Sequence, residues 1–166
     1  MCKRIFKDQT TTKGDVPFYK IGTFGQKPDA YISQEIYDEY TSKYPHPKKG
    51  DILISTSGTI GRIVVYDGKP AYFQDSNIVW IDNNEKLVTN EYLHRIFQSI
   101  RWETTKGGTI ERLYNKLIEK TKIPVPPLEI QKQLVAEAEK EEEIITANRH
   151  LIDLMGRKID EVLSTI

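Results

Sequence analysis

The sequence predicts an α+β protein, with a mixed domain of short strands and helices over residues 1–126 and one long coiled-coil helix over residues 127–166. Two observations predict this. Several short apolar runs, separated by turns bearing glycine, proline or aspartate, fill the first part and read as strands. From Leu128 to Ile166 there is no proline and one glycine, Gly156, and apolar residues recur at helical spacing. The change falls at Ile123-Pro124-Val125-Pro126-Pro127-Leu128-Glu129-Ile130-Gln131. A strand over Lys122–Val125 can end there, because Pro124 and Pro126 offer no ladder donors. Pro127 suits the first turn of a helix, where an N–H would be unpaired anyway, and Glu129 complements the helix dipole.

In chain order, Val16–Ile21 reads as a strand, with Pro17 placing it at a sheet edge or at a strand start. Ser33 caps a short helix beginning at Gln34 and running through Tyr40. Lys49-Gly50-Asp51 turns into Ile52-Leu53-Ile54, a buried strand. Gly58 and Gly61 bracket a bend before a strand over Arg62–Tyr66. Asp67-Gly68 marks a turn before Ala71–Gln74, and Asn77–Ile81 is a further strand. Thr89-Asn90 caps a helix over Glu91–Thr104 with Tyr92, Leu93, Ile96, Phe97 and Ile100 on one face, ended by Gly107-Gly108.

In the last segment, steps of four and three from Leu134 reach Ala138, Glu141, Ile145, Asn148, Ile152, Met155, Ile159, Val162 and Ile166. Eight of these ten positions are apolar, which is the seam of a coiled coil sustained over more than four heptads. Val135, Ile144, Leu151 and Leu163 widen it. As a helix, residues 127–166 span about 60 Å. A domain of the preceding size has a radius of gyration of only about 14 Å and cannot cover such a rod along its length. The seam therefore calls for a partner helix.

The chain has 166 residues, 38% of them hydrophobic and 29% charged, enough for one domain and an appendage. A lone cysteine, Cys2, cannot form an internal disulfide, and the sequence shows neither a signal peptide nor a membrane span; both point to the cytoplasm. The zero net charge hides an asymmetry. Residues 1–127 carry 19 Lys/Arg against 15 Asp/Glu, and residues 128–166 carry 5 against 9. A basic head on an acidic rod fits a head that meets a polyanion and a rod that meets protein, although scattered surface charge gives the same totals.

Three segments suit contact with nucleic acid. Ser55-Thr56-Ser57-Gly58-Thr59-Ile60-Gly61-Arg62 offers four hydroxyls, two glycines and an arginine after a buried strand; without Gly-Lys-Ser/Thr it is no phosphate-binding Walker loop. The same residues also suit a tight bend. Gln74-Asp75-Ser76-Asn77 carries amides that can read adenine and a carboxylate that can accept from cytosine, and it equally suits a polar turn. Lys106, Thr109 and Arg112 surround a glycine pair whose N–H groups can hold a phosphate or cap a helix. Lys20 and Thr23, beyond the first strand, complete the candidate DNA-binding set of Lys20, Thr23, Ser55, Thr56, Ser57, Thr59, Arg62, Gln74, Asp75, Asn77, Lys106, Thr109 and Arg112.

Enzyme signatures are absent. His46, His94 and His150 stand apart in unlike settings, no spacing suits a metal, and no Gly-x-Gly cofactor motif or Asn-Pro-Pro-Tyr/Phe methyltransferase motif occurs. Pro28-Asp29 and Asp67-Gly68-Lys69 formally match the layout of a metal-dependent nuclease, yet both read as turns.

Together, Val16-Pro17-Phe18-Tyr19-Lys20-Ile21, Gly50-Asp51-Ile52-Leu53-Ile54-Ser55 with Ser57-Gly58-Thr59-Ile60-Gly61, Gly107-Gly108-Thr109-Ile110 with Arg112-Leu113, and Lys122-Ile123-Pro124-Val125-Pro126-Pro127-Leu128-Glu129-Ile130-Gln131 before a long helix resemble the specificity subunits of type I restriction–modification enzymes. The resemblance implies a non-catalytic subunit without cofactor or metal. Its head would be a target recognition domain for double-stranded DNA, and its rod a spacer helix. The implied partners are methyltransferase subunits and, in the full complex, a restriction–translocase subunit. Such subunits usually hold two recognition domains and two spacer helices, whereas this chain has one of each. It therefore matches half of a bipartite reader, and an antiparallel homodimer through the rods is expected. Specificity subunits of certain type II enzymes share the module and are the alternative setting; a nuclease or a pure interaction scaffold ranks below both.

Overall fold

The computed structural model describes residues 1–105 and 112–164. The chain divides into two compact units, Met1–Val125 and Pro126–Ile166. In the first, β1 (Val16–Tyr19), β2 (Tyr31–Ile32), α1 (Gln34–Lys43), β3 (Ile52–Ser55), β4 (Ile63–Val65), β5 (Tyr72–Phe73), β6 (Ile78–Ile81), α2 (Asn90–Ser99) and α3 (Asn115–Lys120) follow a 3₁₀ turn at Lys7–Gln9. The second is α4 (Leu128–Leu163), 36 residues long.

The strands form two small sheets, ordered β2-β1-β5 and β4-β3-β6. β3 is antiparallel to both neighbours, with Leu53 opposite Val64 and Trp80, and all four of its residues are buried. Because side chains alternate across a strand, this sheet separates two cores. Leu53, Val64, Ile78 and Trp80 pack with Val16, Phe18, Phe24, Ile32 and Tyr72 on one face. Ile52, Ile54, Ile63, Val79 and Ile81 pack with Leu93, Phe97 and Leu113 on the other. A strand buried on both faces must be apolar throughout, which is why Ile52-Leu53-Ile54 reads as a continuous run.

Both expected helix caps are present: Ser33 accepts from the Ile36 N–H and Thr89 from the Tyr92 N–H. Of the two places expected for Pro17, the structure shows the strand start: it is the second residue of β1, which lies in the middle of its sheet. The Phe18 N–H donates to Ala30 on the β2 side. The ring nitrogen of Pro17 therefore faces the other side, where pairing with β5 begins only at Phe18–Tyr72. No ladder donor is lost.

Residues 121–127 form no strand. The carbonyls there are met by side chains instead: Tyr92 Oη donates to Pro124 O at 3.1 Å, and Gln131 Nε2 to Pro126 O at 2.7 Å. Pro127 caps α4 from just outside it, its carbonyl accepting from the Gln131 N–H. α2 stops at Ser99 rather than Thr104, because Ile100 is extended and Trp102 turns back to meet Phe97 edge-on at 5.2 Å. The expected stop at Gly107-Gly108 lies outside the described residues. β2 and α3, too short to show a period, carry no sequence signal.

Trp102 also explains the second glycine of the bend. Gly61 has φ +78°, and a Cβ there would stand 2.4 Å from Trp102 Cδ1. Gly61→Ala is accordingly expected to cost roughly 1–3 kcal/mol of unfolding free energy, from backbone strain and overpacking combined. Gly22→Ala, with nothing within 4 Å, should be close to neutral in the same urea titration.

Candidate nucleic-acid interface

An open cleft of about 1010 Å³ lies in the first unit, lined by Arg4, Ile5, Phe6, Lys7, Thr10, Thr11, Thr12, Phe18, Lys20, Asp29, Ala30, Gln74, Asp75, Ser76, Asn77 and Arg112. Four cations face two carboxylates there. A smaller cavity of about 470 Å³, lined by Met1, Thr56, Ser76, Val79, Arg112, Leu113, Tyr114, Asn115 and Lys116, shares Ser76 and Arg112 with it. Of the predicted set, the cleft gathers Lys20, Gln74, Asp75, Asn77 and Arg112. Lys106 and Thr109 lie outside the described residues.

The bend after β3 is built differently from a reading surface. Ser55, Thr56 and Ser57 are buried. Ser55 Oγ donates to Thr59 O and accepts from the Arg62 N–H at 2.9 Å. Thr56 Oγ1 donates to Ser76 O at 3.1 Å, and Ser57 Oγ to Asn77 Oδ1 at 2.7 Å. Arg62 Nη1 donates to Phe24 O at 2.8 Å. These groups hold the bend and the neighbouring turn together; only Thr59 is exposed. Thr23 is likewise engaged, its hydroxyl bonded to the backbone of Lys20.

The turn after β5 is the better placed segment. Gln74 Oε1 accepts from the Ile21 N–H at 2.9 Å, and Asn77 Oδ1 accepts from Ser57. Reading adenine bidentately needs both the oxygen and the nitrogen of an amide. With each oxygen engaged, the nitrogens are what these two side chains offer a ligand, as donors. Ser76 sits at φ +60°, an uncommon conformation for a residue with a side chain. Asp75, expected to accept from cytosine, instead binds Arg4: Arg4 Nε and Nη2 lie 2.9 and 2.8 Å from its Oδ2. That hydrogen bond and charge hold the Arg4 guanidinium above its ordinary pKa.

Arg4, Lys7 and the run Thr10-Thr11-Thr12 had no place in the motif reading, although Lys3, Arg4 and Lys7 concentrate positive charge in the first seven residues. The segment is fixed in place. Phe6 donates its N–H to Gln9 Oε1 at 2.9 Å, Gln9 Nε2 donates to Tyr40 Oη at 3.1 Å, and Thr11 bridges to Tyr31. Lys20 Nζ pairs with Asp29 at 2.9 Å on the same wall.

The nuclease-like halves do not converge. Asp29 lines the large cleft, whereas Asp67 and Lys69 line a separate cavity of about 450 Å³. Asp67 anchors its own turn, and the Lys69 N–H bonded at 2.9 Å holds its carboxyl below the ordinary range. Among the described residues no group of three or more His, Cys, Asp or Glu is placed to hold a metal. Nor is any helix there long and apolar enough to cross a membrane.

The rod presents a second surface. Leu134, Ile145, Ile152, Met155, Ile159 and Val162 are between 44% and 69% exposed; Asn148 is exposed and Ala138 half-buried. Ile166 lies outside the described residues.

Comparison with known proteins agrees with this geometry. The family described as type I restriction modification DNA specificity domain matches residues 1–153. A Haemophilus influenzae protein named as a type I restriction enzyme specificity subunit is 62% identical over 136 residues, covering 82% of this chain and 35% of that protein. A solved chain described with complex assembly and conformational transition of the type I restriction–modification system has a TM-score of 0.63 at 18% identity, over 89% of this chain and 36% of that one. The specificity subunit of the M. genitalium type I system has a TM-score of 0.58 at 15% identity, over 92% and 38%. The chain thus spans little more than a third of the relatives it matches. At 62% identity over most of its length, and with the family's signature across residues 1–153, the chain belongs to the type I restriction–modification DNA specificity family.

Proposed function

We propose that this chain is a non-catalytic recognition module that reads one half of a bipartite duplex DNA target and carries methyltransferase subunits to it in the cytoplasm. Residues 1–126 act as the target recognition domain and residues 127–166 as the spacer and dimerisation helix. The restriction–translocase subunit joins the same assembly for cleavage. The observation that carries this reading is the open cleft, where four cations stand against two carboxylates in a chain of zero net charge. Gln74 and Asn77 offer donors to base edges, and Lys7 and Arg112 are placed for phosphates. The modest total charge makes phosphate contacts from partner subunits a necessary part of the grip.

The deciding experiment is methylation-sensitive sequencing of DNA treated with the chain and its methyltransferase subunits. Methylation at one interrupted sequence is the expected result, with none from the chain alone. Metal-dependent cleavage by the pure chain, abolished by Asp67→Ala, would sink the reading in favour of a nuclease. Binding to the partner subunits without any DNA preference would leave only a scaffold.

Phosphate contacts have their own signature. Lys7→Ala and Arg112→Ala should each weaken binding on all sequences alike and flatten the log–log salt dependence by about one.

The exposed seam supports an antiparallel pair of rods. A full-overlap register sets Leu134 against Ile166, Ala138 against Val162, Ile145 against Met155 and Asn148 against Ile152 of the second copy. The Glu141, Glu142 and Glu143 cluster then lies toward Arg157 and Lys158, pairs worth only about 0–1 kcal/mol each but unfavourable to the parallel arrangement. Ile145→Cys and Met155→Cys introduced together should cross-link two chains on mild oxidation. Cys2 can stay, because burial raises its thiol to about 11 and keeps it unreactive. A parallel pair would instead cross-link each single variant efficiently, and a monomer in sedimentation at micromolar concentration would exclude the homodimer.

A further inference from the structure

We propose that Arg4, oriented by Asp75, reads a guanine base in the half-site, so that these two residues set specificity at one base pair. This inference rests on the DNA-reading function proposed above and names one element of its target.

The geometry begins with how firmly the pair is held. Asp75 has a side chain only 18% exposed, and its Oδ2 accepts from Arg4 Nε, Arg4 Nη2 and Ser76 Oγ. The turn that carries it is closed by an Asn77 N–H to Asp75 O bond of 2.7 Å and by Thr56 Oγ1 on Ser76 O at 3.1 Å. Arg4 is tethered from the other side by Cys2, which lies in the core, and by the Phe6–Gln9 turn. Seventy-one residues of chain separate the two partners, so tertiary structure alone brings them together.

The chemistry follows from which edge of the guanidinium is occupied. Arginine has five N–H groups in a planar fork. Asp75 takes Nε–H and one Nη2 hydrogen, which leaves the second Nη2 hydrogen and the Nη1 hydrogen beside it as an open terminal edge. That edge is the one that binds guanine O6 and N7 bidentately, the commonest specific contact in the major groove. Arg4 keeps 59% of its side chain exposed and lines the cleft with the donor nitrogens of Gln74 and Asn77 beside it.

A phosphate contact is the competing use of an exposed arginine, and the carboxylate decides against it. At 2.8 Å, Asp75 nearly cancels the charge of Arg4, and a phosphate approaching the pair meets a negative group behind the positive one. Guanine presents a neutral acceptor edge, for which direction matters more than net charge. Arg4 is oriented but neutralised, which suits base reading. Lys7 and Arg112, which have no carboxylate partner among the described residues, suit phosphate.

The test uses the full chain with its methyltransferase subunits and a duplex library randomised across the target, selected by binding and sequenced. The wild type should show one position with a guanine preference that is lost in Arg4→Lys, which keeps the charge but not the fork. The expected loss is about 5- to 150-fold at that position alone. Asp75→Asn should relax the same position, because the guanidinium is then no longer fixed. Uniform weakening by Arg4→Ala across all sequences, with a smaller salt slope, would make Arg4 a phosphate contact and overturn the proposal. So would unchanged preferences in Arg4→Lys while the wild type still selects its site, a result that leaves the recognition function standing. A wild-type complex that selects no sequence would remove that function and this proposal together.

Discussion

The backbone of Thr56 is the joint on which the walls of the cleft depend. Its N–H donates to Asn77 O at 2.8 Å, and its carbonyl accepts from the Leu113 N–H at 2.9 Å. One residue at the end of β3 therefore fixes two chain segments remote in sequence, the turn after β5 and the stretch that carries Arg112. Its hydroxyl binds Ser76 O, and the hydroxyl of Ser57 binds Asn77 Oδ1. Each is a neutral hydrogen bond worth only about 0.5–1.5 kcal/mol when made. Buried as they are, losing a partner costs about 1–3 kcal/mol, so the cluster holds as a unit. β3 itself is immobilised by apolar packing on both faces, so the joint rests on the most deeply buried strand of the domain.

This arrangement divides the polar residues into two kinds. The hydroxyls of the Ser-Thr-Ser run face inward and set the shape of the cleft. Of the groups that line the cleft, Arg4, Lys7, Thr11, Thr12 and Ser76 are exposed, whereas Gln74 and Asn77 also hold the frame through their amide oxygens. Glycine enters the same logic at Gly61, where the absence of a side chain lets Trp102 close the bend from outside.

Local sequence chemistry made much of the fold legible. Ser33 and Thr89 announce their helices, Ile52-Leu53-Ile54 its buried strand, and the proline-bearing stretch the division of the chain. What stayed hidden depends on partners distant in sequence. Pro17 is tolerated in a central strand because β5 begins one residue later, and Pro124 is satisfied by Tyr92 from 32 residues away. At the candidate site, the pattern of hydroxyls, amides and glycines marked segments that the structure treats differently: the Gln74–Asn77 turn lines the cleft, whereas Ser55, Thr56 and Ser57 are buried. Ser55, Thr56 and Ser57 look alike as ligands and as scaffold until the turn that they bind is in place. Arg4 and Asp75 are invisible as a pair in any local window.

The rod follows a different physics from the head. Its seam exposes large apolar residues at successive turns, and fully burying each is worth about 1.5–3 kcal/mol. Its ion pairs are worth a fraction of that. Affinity for a partner helix therefore comes from the seam, and choice of partner from the polar positions. Asn148 is the sharpest of these. Near the centre of the seam, it stands among Ile145, Ile152 and Met155, and any helix that covers those residues must give its amide a partner or accept the cost of burying it without one. In the antiparallel full overlap, Asn148 lies beside the centre of the pair and close to its symmetry mate. There it faces Ile152 of the second copy, with the other amide about one helical turn away, and a one-heptad shift that lengthens the unpaired N-terminal ends would carry the two amides out of reach of each other. In the pairing proposed for the rods, the residue that weakens the seam thus disfavours the registers that part the two amides.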